Sequence, residues 1–343
     1  MKKFLILGCC FASLQLTAQT KKVSFLEHAN QQKVDVLIDS KPFTSFIYPD
    51  NLEKPILYPL QTASGITVTR GFPLNKRDHE RTDHPHHVGL WFNYESVNGL
   101  DFWNNSYNIP AAKKAGYGWI RNVKVTAVKD GKAKGSLNYT ANWERQDKRV
   151  LLKEATTFVF SGNDDTRTID RITTLTAQKD TVYFKDVKDG ALGIRVTKEL
   201  ELPSDKEESY TDNKGIVTKI APTKNGANGD YLTSEGKKGN DAWGTRGNWC
   251  VLFGVKEAQP VSIAIIDHPK NPGYPTYWHA RDYGLFAANP LGQAVFSNGK
   301  EHLNLTLKPG ESVTFRYRII IGSGKKQTAA LLNKQALDFG KQI

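Results

Sequence analysis

The segment from Asp83 to His87 holds the side chains of this 343-residue chain that are best suited to acid-base or metal chemistry. Its sequence, Asp-His-Pro-His-His, contains three of the eight histidines. If the backbone is extended through Pro85, His84 and His86 point to one face of the chain and His87 points to the other. Histidine carries protons, forms hydrogen bonds and binds metals near neutral pH. The segment therefore indicates one wall of a functional site.

Three interpretations of these histidines stay open: structural hydrogen bonding, substrate binding or acid-base catalysis, and metal binding. A transition metal on His84 and His86 needs a third and usually a fourth ligand. His268, His279 and nearby carboxylates are candidates, but no spacing in the sequence brings them to the pair. We predict no cofactor, with a divalent metal on His84 and His86 as the minority alternative.

A second segment, from Asp267 to Arg281, also combines rigidity with polar and aromatic side chains. It contains three prolines, which stiffen it and lower its entropy in the unfolded chain. Tyr277, His279 and Arg281 follow at i, i+2 spacing, so they can share one face. Aromatic rings beside such polar groups are typical of sugar sites, because rings stack on the apolar faces of a sugar while polar groups bind its hydroxyls. The alternative is a rigid, packed loop with a surface arginine.

Other candidates lie beside these segments or inside apolar strands. Glu154 is a carboxylate in an otherwise apolar strand, where burial can tune its pKa for general-base catalysis. On the outer face of a sheet it would have no such role. The predicted catalytic residues are His86, His279, Glu154 and Asp83. The predicted substrate-binding residues are His84, His87, Arg77, Trp103, Arg246, His268, Tyr277 and Arg281.

Short apolar stretches separated by turn residues predict an all-β fold, a large antiparallel β-sandwich. The clearest hairpin joins residues 123–128 to 136–143 through Lys-Asp-Gly-Lys, where Asp-Gly should supply a positive φ. One helix is predicted after Thr328, covering a sheet edge or an open end of the sandwich. The other predicted strands are 34–38, 43–48, 56–61, 66–70, 150–160, 167–176, 181–187, 192–200, 251–255, 261–266, 303–307 and 313–321.

Residues 203–248 depart from the strand pattern, being rich in Gly, Asn, Lys, Asp and Ser. Long loops in compact domains are usually functional or disordered. Trp243, Arg246 and Trp249 at its end favour an ordered loop that helps to wall a site. A surface excursion anchored by Trp243 is the equal alternative.

Residues 1–18 have the charged, apolar and small-residue regions of a signal peptide, with cleavage expected near Ala18. A lipoprotein signal at Cys9 or Cys10 would leave too short an apolar region. We therefore expect a periplasmic or secreted protein in which residues 19–343 form one domain. No other stretch is apolar enough to span a membrane. Cys250, the cysteine outside that leader, lies in an apolar run and is expected to be a buried thiol.

The net charge of +12 is spread over scattered lysines and arginines, which indicates a solvated basic surface rather than a nucleic-acid site. The sequence has no Gly-x-Ser-x-Gly elbow, P-loop, dinucleotide fingerprint or His-Glu-x-x-His helix. Common serine hydrolases, nucleotide enzymes and zincins are therefore disfavoured. The expected partner is a small-molecule or oligosaccharide substrate, and no feature indicates an oligomeric state.

Several of these motifs together resemble the PmoA-like family of exported bacterial proteins, also catalogued as a domain of unknown function. They are residues 83–87 with Gly89-Leu90-Trp91, Val97-Asn98-Gly99 with Asp101-Phe102-Trp103, Gly193-Ile194-Arg195, Trp243-Gly244 with Arg246 and Trp249, residues 267–281, and residues 283–290. The resemblance covers most of the chain. Where the family often has an arginine after the paired histidines, this chain has Val88.

The resemblance implies a fold similar to the galactose-mutarotase-like supersandwich, which is common among carbohydrate-active proteins. The family's methane oxygenase label does not carry over, because membrane-type methane oxygenase subunits need spans that this chain lacks. We hypothesise an exported carbohydrate-active enzyme that uses histidine and carboxylate acid-base chemistry. The alternatives are a non-catalytic sugar-binding protein and a histidine-ligated metal protein. On the first hypothesis, His86 and His279 should lie within a substrate's length of each other.

Overall fold

Two antiparallel sheets of eight strands each form the body of the protein in the computed structural model, which describes residues 21–221, 226–324 and 327–342. The predicted signal peptide at residues 1–18 lies outside these ranges. The prediction of a large antiparallel sandwich with a C-terminal helix is confirmed.

Twenty strands lie within the described ranges. The first ten are β1 (Val23–His28), β2 (Lys33–Ile38), β3 (Lys41–Ile47), β4 (Ile56–Leu57), β5 (Leu90–Tyr94), β6 (Trp119–Lys129), β7 (Lys134–Glu144), β8 (Val150–Gly162), β9 (Thr166–Ala177) and β10 (Val182–Phe184). The others are β11 (Gly190–Arg195), β12 (Glu208–Thr211), β13 (Val217–Ile220), β14 (Asp230–Thr233), β15 (Trp249–Lys256), β16 (Gln259–Asp267), β17 (Tyr277–Ala280), β18 (Leu285–Asn289), β19 (Leu305–Leu307) and β20 (Ser312–Ser323).

Helices are short and few in the described ranges. The α-helices are α1 (Gln293–Phe296) and α2 (Ala329–Gly340), and 3-10 turns occupy Ala29–Gln31, Ala111–Gly116, Lys198–Leu200 and Gly239–Ala242. The first large sheet has the strand order β1-β2-β3-β4-β5-β11-β18-β17, and the second has the order β14-β15-β16-β20-β9-β8-β7-β6. Two small sheets pair β10 with β19 and β12 with β13.

Aromatic side chains on facing strands join the two large sheets. Phe46 of β3 stacks on Tyr139 of β7 with ring centroids 4.7 Å apart. Phe92 of β5 lies 5.4 Å from Phe315 of β20. Each such ring buries roughly 150–250 Å² of surface, which makes these contacts a major source of the stability of the sandwich.

The central strands of the first sheet are buried on both of their faces. Every residue of β5, β11 and β18 is buried. Phe92 and Phe286 point into the main core, whereas Trp91 and Ala287 belong to a separate apolar cluster on the other face. Loops therefore cover the outer face of this sheet, the face turned away from the second sheet.

Helix α2 begins where the sequence predicts, because the Thr328 hydroxyl accepts a hydrogen bond from the Leu331 amide at 3.3 Å. Its position differs from the prediction. Leu332 and Phe339 are buried in a cluster with Ile266 and Ile320, which lie on adjacent strands of the second sheet. The helix covers the outer face of that sheet rather than an edge or an open end.

The β6–β7 hairpin is confirmed, but the predicted positive φ at its Asp-Gly turn is wrong. Gly131 has no positive φ and pairs with Val23 of β1 instead. A Cβ on Gly131 would lie 1.8 Å from the Lys134 carbonyl oxygen. The glycine is thus required by close backbone approach and not by a left-handed conformation.

Two other predictions need correction. Residues 66–70 make only isolated bridges, at Thr67 and Thr69. The predicted loop at 203–248 contains the hairpin β12–β13, the strand β14 and a 3-10 turn in its described part. Its polar composition reflects a hairpin that lies largely on the surface, where polar residues cost little.

Glu154 lies within a buried hydrogen-bond network of the second sheet. Its Oε1 accepts hydrogen bonds from Tyr139 at 2.5 Å, Thr156 at 2.7 Å and Arg171 at 2.8 Å. Its Oε2 accepts one from Trp143 at 2.7 Å. These partners neutralise the charge and fill its acceptor positions. Its predicted catalytic role is not supported by these contacts, which favour a structural one.

Replacing Glu154 by Ala should lower the free energy of unfolding by about 3–5 kcal/mol, because the buried Arg171 would lose its counter-ion. Urea denaturation of the variant and the wild type measures this change. Asp147, whose side chain is 61% exposed, provides the control, and Asp147→Ala should shift stability by about 0.5 kcal/mol at most. A Glu154→Ala protein as stable as the control would contradict the structural role.

Candidate active site on the outer face of the first sheet

Four residues in register across the first sheet form the floor of the candidate site. Trp91 of β5 pairs with Gly193 of β11. Gly193 pairs on its other side with Ala287 of β18, and Ala287 pairs with His279 of β17. Strands are spaced about 4.8 Å apart, so the backbones of Trp91 and His279 are separated by roughly 14 Å. We call this set the floor row.

The centre of the floor row is made of small residues. A Cβ on Gly193 would lie 2.6 Å from the Trp91 ring and 2.9 Å from the Trp103 ring. Glycine therefore allows Trp103 to pack over the sheet beside Trp91, where the centroids of the two rings are 5.1 Å apart. The predicted site residue Trp103 helps to shape the floor from a buried position.

Residues 83–87, which we call the histidine turn, are held on this face by Arg70. Its Nη1 donates to the carbonyl oxygens of Arg81 at 3.1 Å and Asp83 at 2.9 Å, and to Asp83 Oδ1 at 2.9 Å. Its Nη2 donates to the carbonyl oxygens of His84 at 2.9 Å and His87 at 3.1 Å. One buried guanidinium thus satisfies backbone acceptors along the whole turn.

A second buried arginine, Arg195 of β11, shares Asp83 with Arg70. Its Nη2 lies 2.9 Å from Asp83 Oδ1, and its Nη1 lies 3.2 Å from His87 Nδ1. Arginine only donates, so His87 Nδ1 must be the acceptor and its Nε2 carries the proton.

Burial opposes ionisation of Asp83, but Arg195, His84 and Arg70 hold its pKa far below the usual range. The carboxyl group stays ionised and cannot donate a proton at physiological pH. The contacts of Asp83 favour a positioning role over the predicted catalytic one.

The expectation that His84 and His86 share one face while His87 opposes them is wrong. His84 has a φ of 44°, and the His87 amide donates to the His84 carbonyl oxygen at 2.9 Å, so the segment is a tight turn. The ring centroids of His86 and His87 are 4.2 Å apart, and those of His84 and His86 are 5.6 Å apart. The turn brings all three imidazoles together.

A column of parallel rings joins the histidine turn to the segment after β17. The ring centroids of Tyr283 and His84 are 5.1 Å apart, and those of His84 and His87 are 4.9 Å apart. The column continues from His87 to Trp91, whose ring centroids are 5.3 Å apart. The side chain of His84 is 38% exposed, so it presents this column to solvent. The histidine turn therefore contacts Tyr283, which lies two residues beyond the predicted segment 267–281 and was not among the predicted site residues.

His279 lies at the far end of the floor row and approaches a carboxylate. Its Nδ1 lies 3.5 Å from Asp189 Oδ1, beyond a direct hydrogen bond. Burial, with Lys188, Arg281 and His84 nearby, lowers the pKa of His279 to about 3. Burial also raises the pKa of Asp189, and Asp101 adds to that rise. At neutral pH the imidazole of His279 is uncharged.

His86 and His87 are also held neutral, since burial and the neighbouring charged groups place the pKa of each well below its usual range. Lys54 approaches from the opposite side. It donates to the His86 carbonyl oxygen at 2.7 Å and lies 5.5 Å from the Trp91 ring, and burial lowers its pKa to about 8. Lys54 and Asp189 were not predicted, because neither stands in a motif. Arg195 could have been found through the Gly-Ile-Arg motif.

Several buried polar atoms on this face have no hydrogen-bond partner within residues 21–221, 226–324 and 327–342. Native proteins pair most buried polar groups, so a cluster of such atoms indicates a site for a polar ligand. They are His86 Nε2, Trp91 Nε1, Asn93 Oδ1, Arg195 Nε, Trp243 Nε1 and His279 Nδ1.

The hairpin β12–β13 covers one side of the histidine turn. Between them lies a cleft of about 330 Å³, lined by residues 83–86 and 210–213 among others. Arg81 anchors the hairpin, with its Cζ 3.9 Å from the Tyr210 ring centroid and an ion pair to Glu208. A second cavity, of about 300 Å³, contains Lys54 and shares His86 with the first. Part of the predicted loop at 203–248 therefore does wall this site.

The remaining predicted residues are not brought to the histidine turn by their contacts. His268 bonds the Gln342 carbonyl oxygen at 3.0 Å and packs on Phe339, at the end of α2. Tyr277 stacks on Phe296, and Arg246 lies 5.0 Å from the Tyr277 ring while pairing with Glu301.

Arg77 pairs with Glu80 at 3.3 Å and donates to the Thr69 carbonyl oxygen. Glu80 in turn accepts a hydrogen bond from the Gly71 amide at 2.7 Å. These contacts give Arg77 a local structural role. The contacts of His268 place this residue against α2, away from the predicted substrate site.

No group of three or more His, Cys, Asp or Glu side chains among the residues described is arranged to hold a metal ion. The same part of the chain contains no helix long and apolar enough to cross a membrane.

Comparison with known proteins gives a family and a set of distant structures. A model described as a family of unknown function (DUF6807) matches residues 33–336. No curated protein matches the chain. The GH36 alpha-galactosidase AgaB from Geobacillus stearothermophilus is similar, with a TM-score of 0.38 and 8% identity over 88% of this chain and 41% of that one.

A galactose mutarotase-like protein from Clostridium acetobutylicum is similar with a TM-score of 0.34 and 10% identity, over 88% of this chain and 98% of that chain. A galactose mutarotase related enzyme from Lactobacillus acidophilus has a TM-score of 0.31 and 9% identity, over 89% and 99% of the two chains. The chain thus spans about two fifths of the galactosidase. TM-scores below 0.5 are too low to carry a functional argument, so the function must be inferred from the site.

The buried neutral histidines should make stability depend on pH. An unfolded histidine has a pKa of about 6.5, whereas the pKa of His279 in the folded protein is about 3. Between these values the unfolded state binds a proton that the folded state does not, so stability falls as the pH falls. The wild type should lose free energy of unfolding as the pH falls from about 7 to about 5. Replacing His279 by Gln should remove up to about 2 kcal/mol of that loss. Urea denaturation at both pH values measures it, and an unchanged pH dependence would contradict the buried, neutral state.

Proposed function

The chain belongs to DUF6807, a family of unknown function, and we propose from its own site that it binds a sugar or sugar derivative and performs acid-base chemistry on it. The observation that carries this proposal is the ring column, in which the exposed imidazole of His84 stacks on Tyr283. Aromatic and imidazole faces bordered by hydrogen-bonding groups suit a ligand with both C–H faces and hydroxyls.

The cavities beside the histidine turn have a size that suits a ligand of this class. Trp103 packs over Gly193 and covers the middle of the floor row, so the open space lies beside the histidine turn. Its two cavities, of about 330 and 300 Å³, both contain His86, and small-molecule sites start at volumes of about 300 Å³. The unpartnered polar atoms of His86, Asn93 and Trp91 provide donors and acceptors for hydroxyl groups.

The acid-base part of the proposal rests on Asp189 and His279. Burial raises the pKa of the Asp189 carboxyl group, which is the direction that favours a carboxyl group as a general acid or base. The neutral His279, 3.5 Å away, can bind a substrate hydroxyl or orient the carboxyl group. In this proposal Asp189 takes the role first assigned to Glu154 or Asp83, while His86 remains a candidate through its free Nε2.

A non-catalytic sugar-binding protein is the second candidate. One observation favours it: burial keeps His86, His87 and His279 neutral, which suits hydrogen bonding better than proton transfer. In that case the same residues bind the sugar, and the sugar is released unchanged. Binding and turnover must therefore be measured separately.

We also propose that the protein is exported, as the signal-like residues 1–18 indicate. The designation PmoA-like stays a prediction alongside the family of unknown function. Sequencing the N-terminus of the protein from a periplasmic or secreted fraction tests export.

Asp189→Asn should lower kcat about 10²–10⁴-fold on the glycan that a turnover screen identifies, because the amide cannot exchange a proton with the substrate. Substrate affinity should change little. Steady-state kinetics and calorimetry measure these two effects. The matched control is Asp180→Asn, on a residue whose side chain is 37% exposed and pairs with Arg149; this variant should keep wild-type kinetics.

Each result separates the two candidates. An Asp189→Asn enzyme with wild-type kcat would remove the acid-base assignment. Stable binding of an unchanged glycan by the wild type, without turnover, would favour the sugar-binding protein. Failure to bind any glycan would overturn the proposed function.

A further inference from the structure

Arg281 differs from the other arginines around the site, because no carboxylate among the residues described pairs with it. The others are all paired: Arg70 and Arg195 with Asp83, Arg77 with Glu80, Arg81 with Glu201 and Glu208, and Arg246 with Glu301. For the guanidinium of Arg281, the described parts of the chain provide neither a hydrogen bond nor an ion pair. The residue as a whole is half-buried, and its guanidinium nitrogens are not among the buried polar atoms without a partner, so a ligand can reach them.

The backbone of Arg281 is nevertheless held firmly. Its amide donates to the Leu285 carbonyl oxygen at 2.7 Å, and its own carbonyl oxygen accepts from the Gly284 amide at 3.1 Å. The Tyr231 hydroxyl also donates to that oxygen at 3.2 Å. Arg281 is thus placed by a turn that continues β17 into β18.

Two aromatic rings orient the side chain. Its Cζ lies 5.5 Å from the Tyr283 ring centroid and 5.8 Å from that of Trp243. Contacts with ring faces hold a guanidinium without using its N–H groups. All five donors of Arg281 are therefore available to a ligand, beside the Tyr283 ring that stacks on His84.

We infer that Arg281 binds a carboxylate of the substrate, so that the sugar is an acidic one of the uronic acid class. The planar fork of a guanidinium matches a carboxylate through two parallel hydrogen bonds, and such charge-assisted bonds are stronger than those to a neutral hydroxyl. Lys188, the other cation at this end of the site, pairs with Asp189 at 3.7 Å, so the inference rests on Arg281 alone. The inference rests on the proposed sugar site and adds its charge specificity.

Isothermal titration calorimetry with matched sugars tests this. The probes are disaccharides that end in glucuronate or galacturonate, their neutral glucose and galactose counterparts, and acetate as a carboxylate without a sugar. The wild type should bind the acidic sugars at least about tenfold more tightly than the neutral ones, as expected for charge-assisted hydrogen bonds. Arg281→Gln should lose this preference, and Arg281→Lys, which keeps the charge but not the fork, should retain only part of it.

Arg149→Gln is the matched control, because the side chain of Arg149 is 53% exposed and pairs with Asp180 away from the site; it should keep the full preference. Thermal unfolding confirms that each variant is folded. If Arg281→Gln does not fold, the test uses the ratio of wild-type affinities for acidic and neutral sugars and the same ratio for Arg281→Lys.

Equal binding of acidic and neutral sugars by the wild type would overturn the carboxylate role while leaving the proposed sugar site intact. So would an Arg281→Gln protein that keeps the acidic preference. If no sugar of either charge binds, the proposed function fails together with this inference. Binding of acetate as tightly as of the acidic disaccharides would show that the sugar ring contributes nothing, and would also overturn the inference.

Discussion

The candidate site depends on one buried cluster of charges, in which Arg70 and Arg195 share the carboxylate of Asp83. Burying two guanidinium groups beside each other is costly, and burial together with Arg195 lowers the pKa of Arg70 to about 9. The cost is partly offset because Asp83 and nearby backbone carbonyl oxygens accept hydrogen bonds from Nη1 and Nη2 of Arg70. Loss of Asp83 would leave both cations without this partner.

The position of this cluster follows from the first sheet. Arg195 projects from β11 on the outer face, where Gly193 and Ala287 leave the space that larger side chains would fill. Loops that are distant in sequence then fold onto that space, and they bring the histidine turn to Tyr283. The sandwich core supports the first sheet from its inner face, and the candidate site lies on the outer face of that sheet.

The fold could largely be predicted from alternating apolar residues, as β7, β8 and β9 show. Turn chemistry was less reliable. The Asp-Gly turn predicted a positive φ that Gly131 does not have, because β1 pairs with it and imposes another backbone conformation. Likewise, the composition of 203–248 indicated a loop, whereas part of it pairs as the hairpin β12–β13 over the site.

Within the candidate site, local patterns pointed to the histidines and to Arg281, since these residues stand in chemically distinctive motifs, whereas Tyr283, which stacks on His84, was not predicted. Their partners stand in no motif: folding alone brings Lys54 and Arg70 to the histidine turn and Asp189 to His279. The opposite holds for Glu154 and His268, whose residue types indicated function but whose neighbours give them structural contacts. Sequence specifies which groups a chain carries, whereas burial and distance, which exist only in the tertiary structure, decide their protonation and their partners.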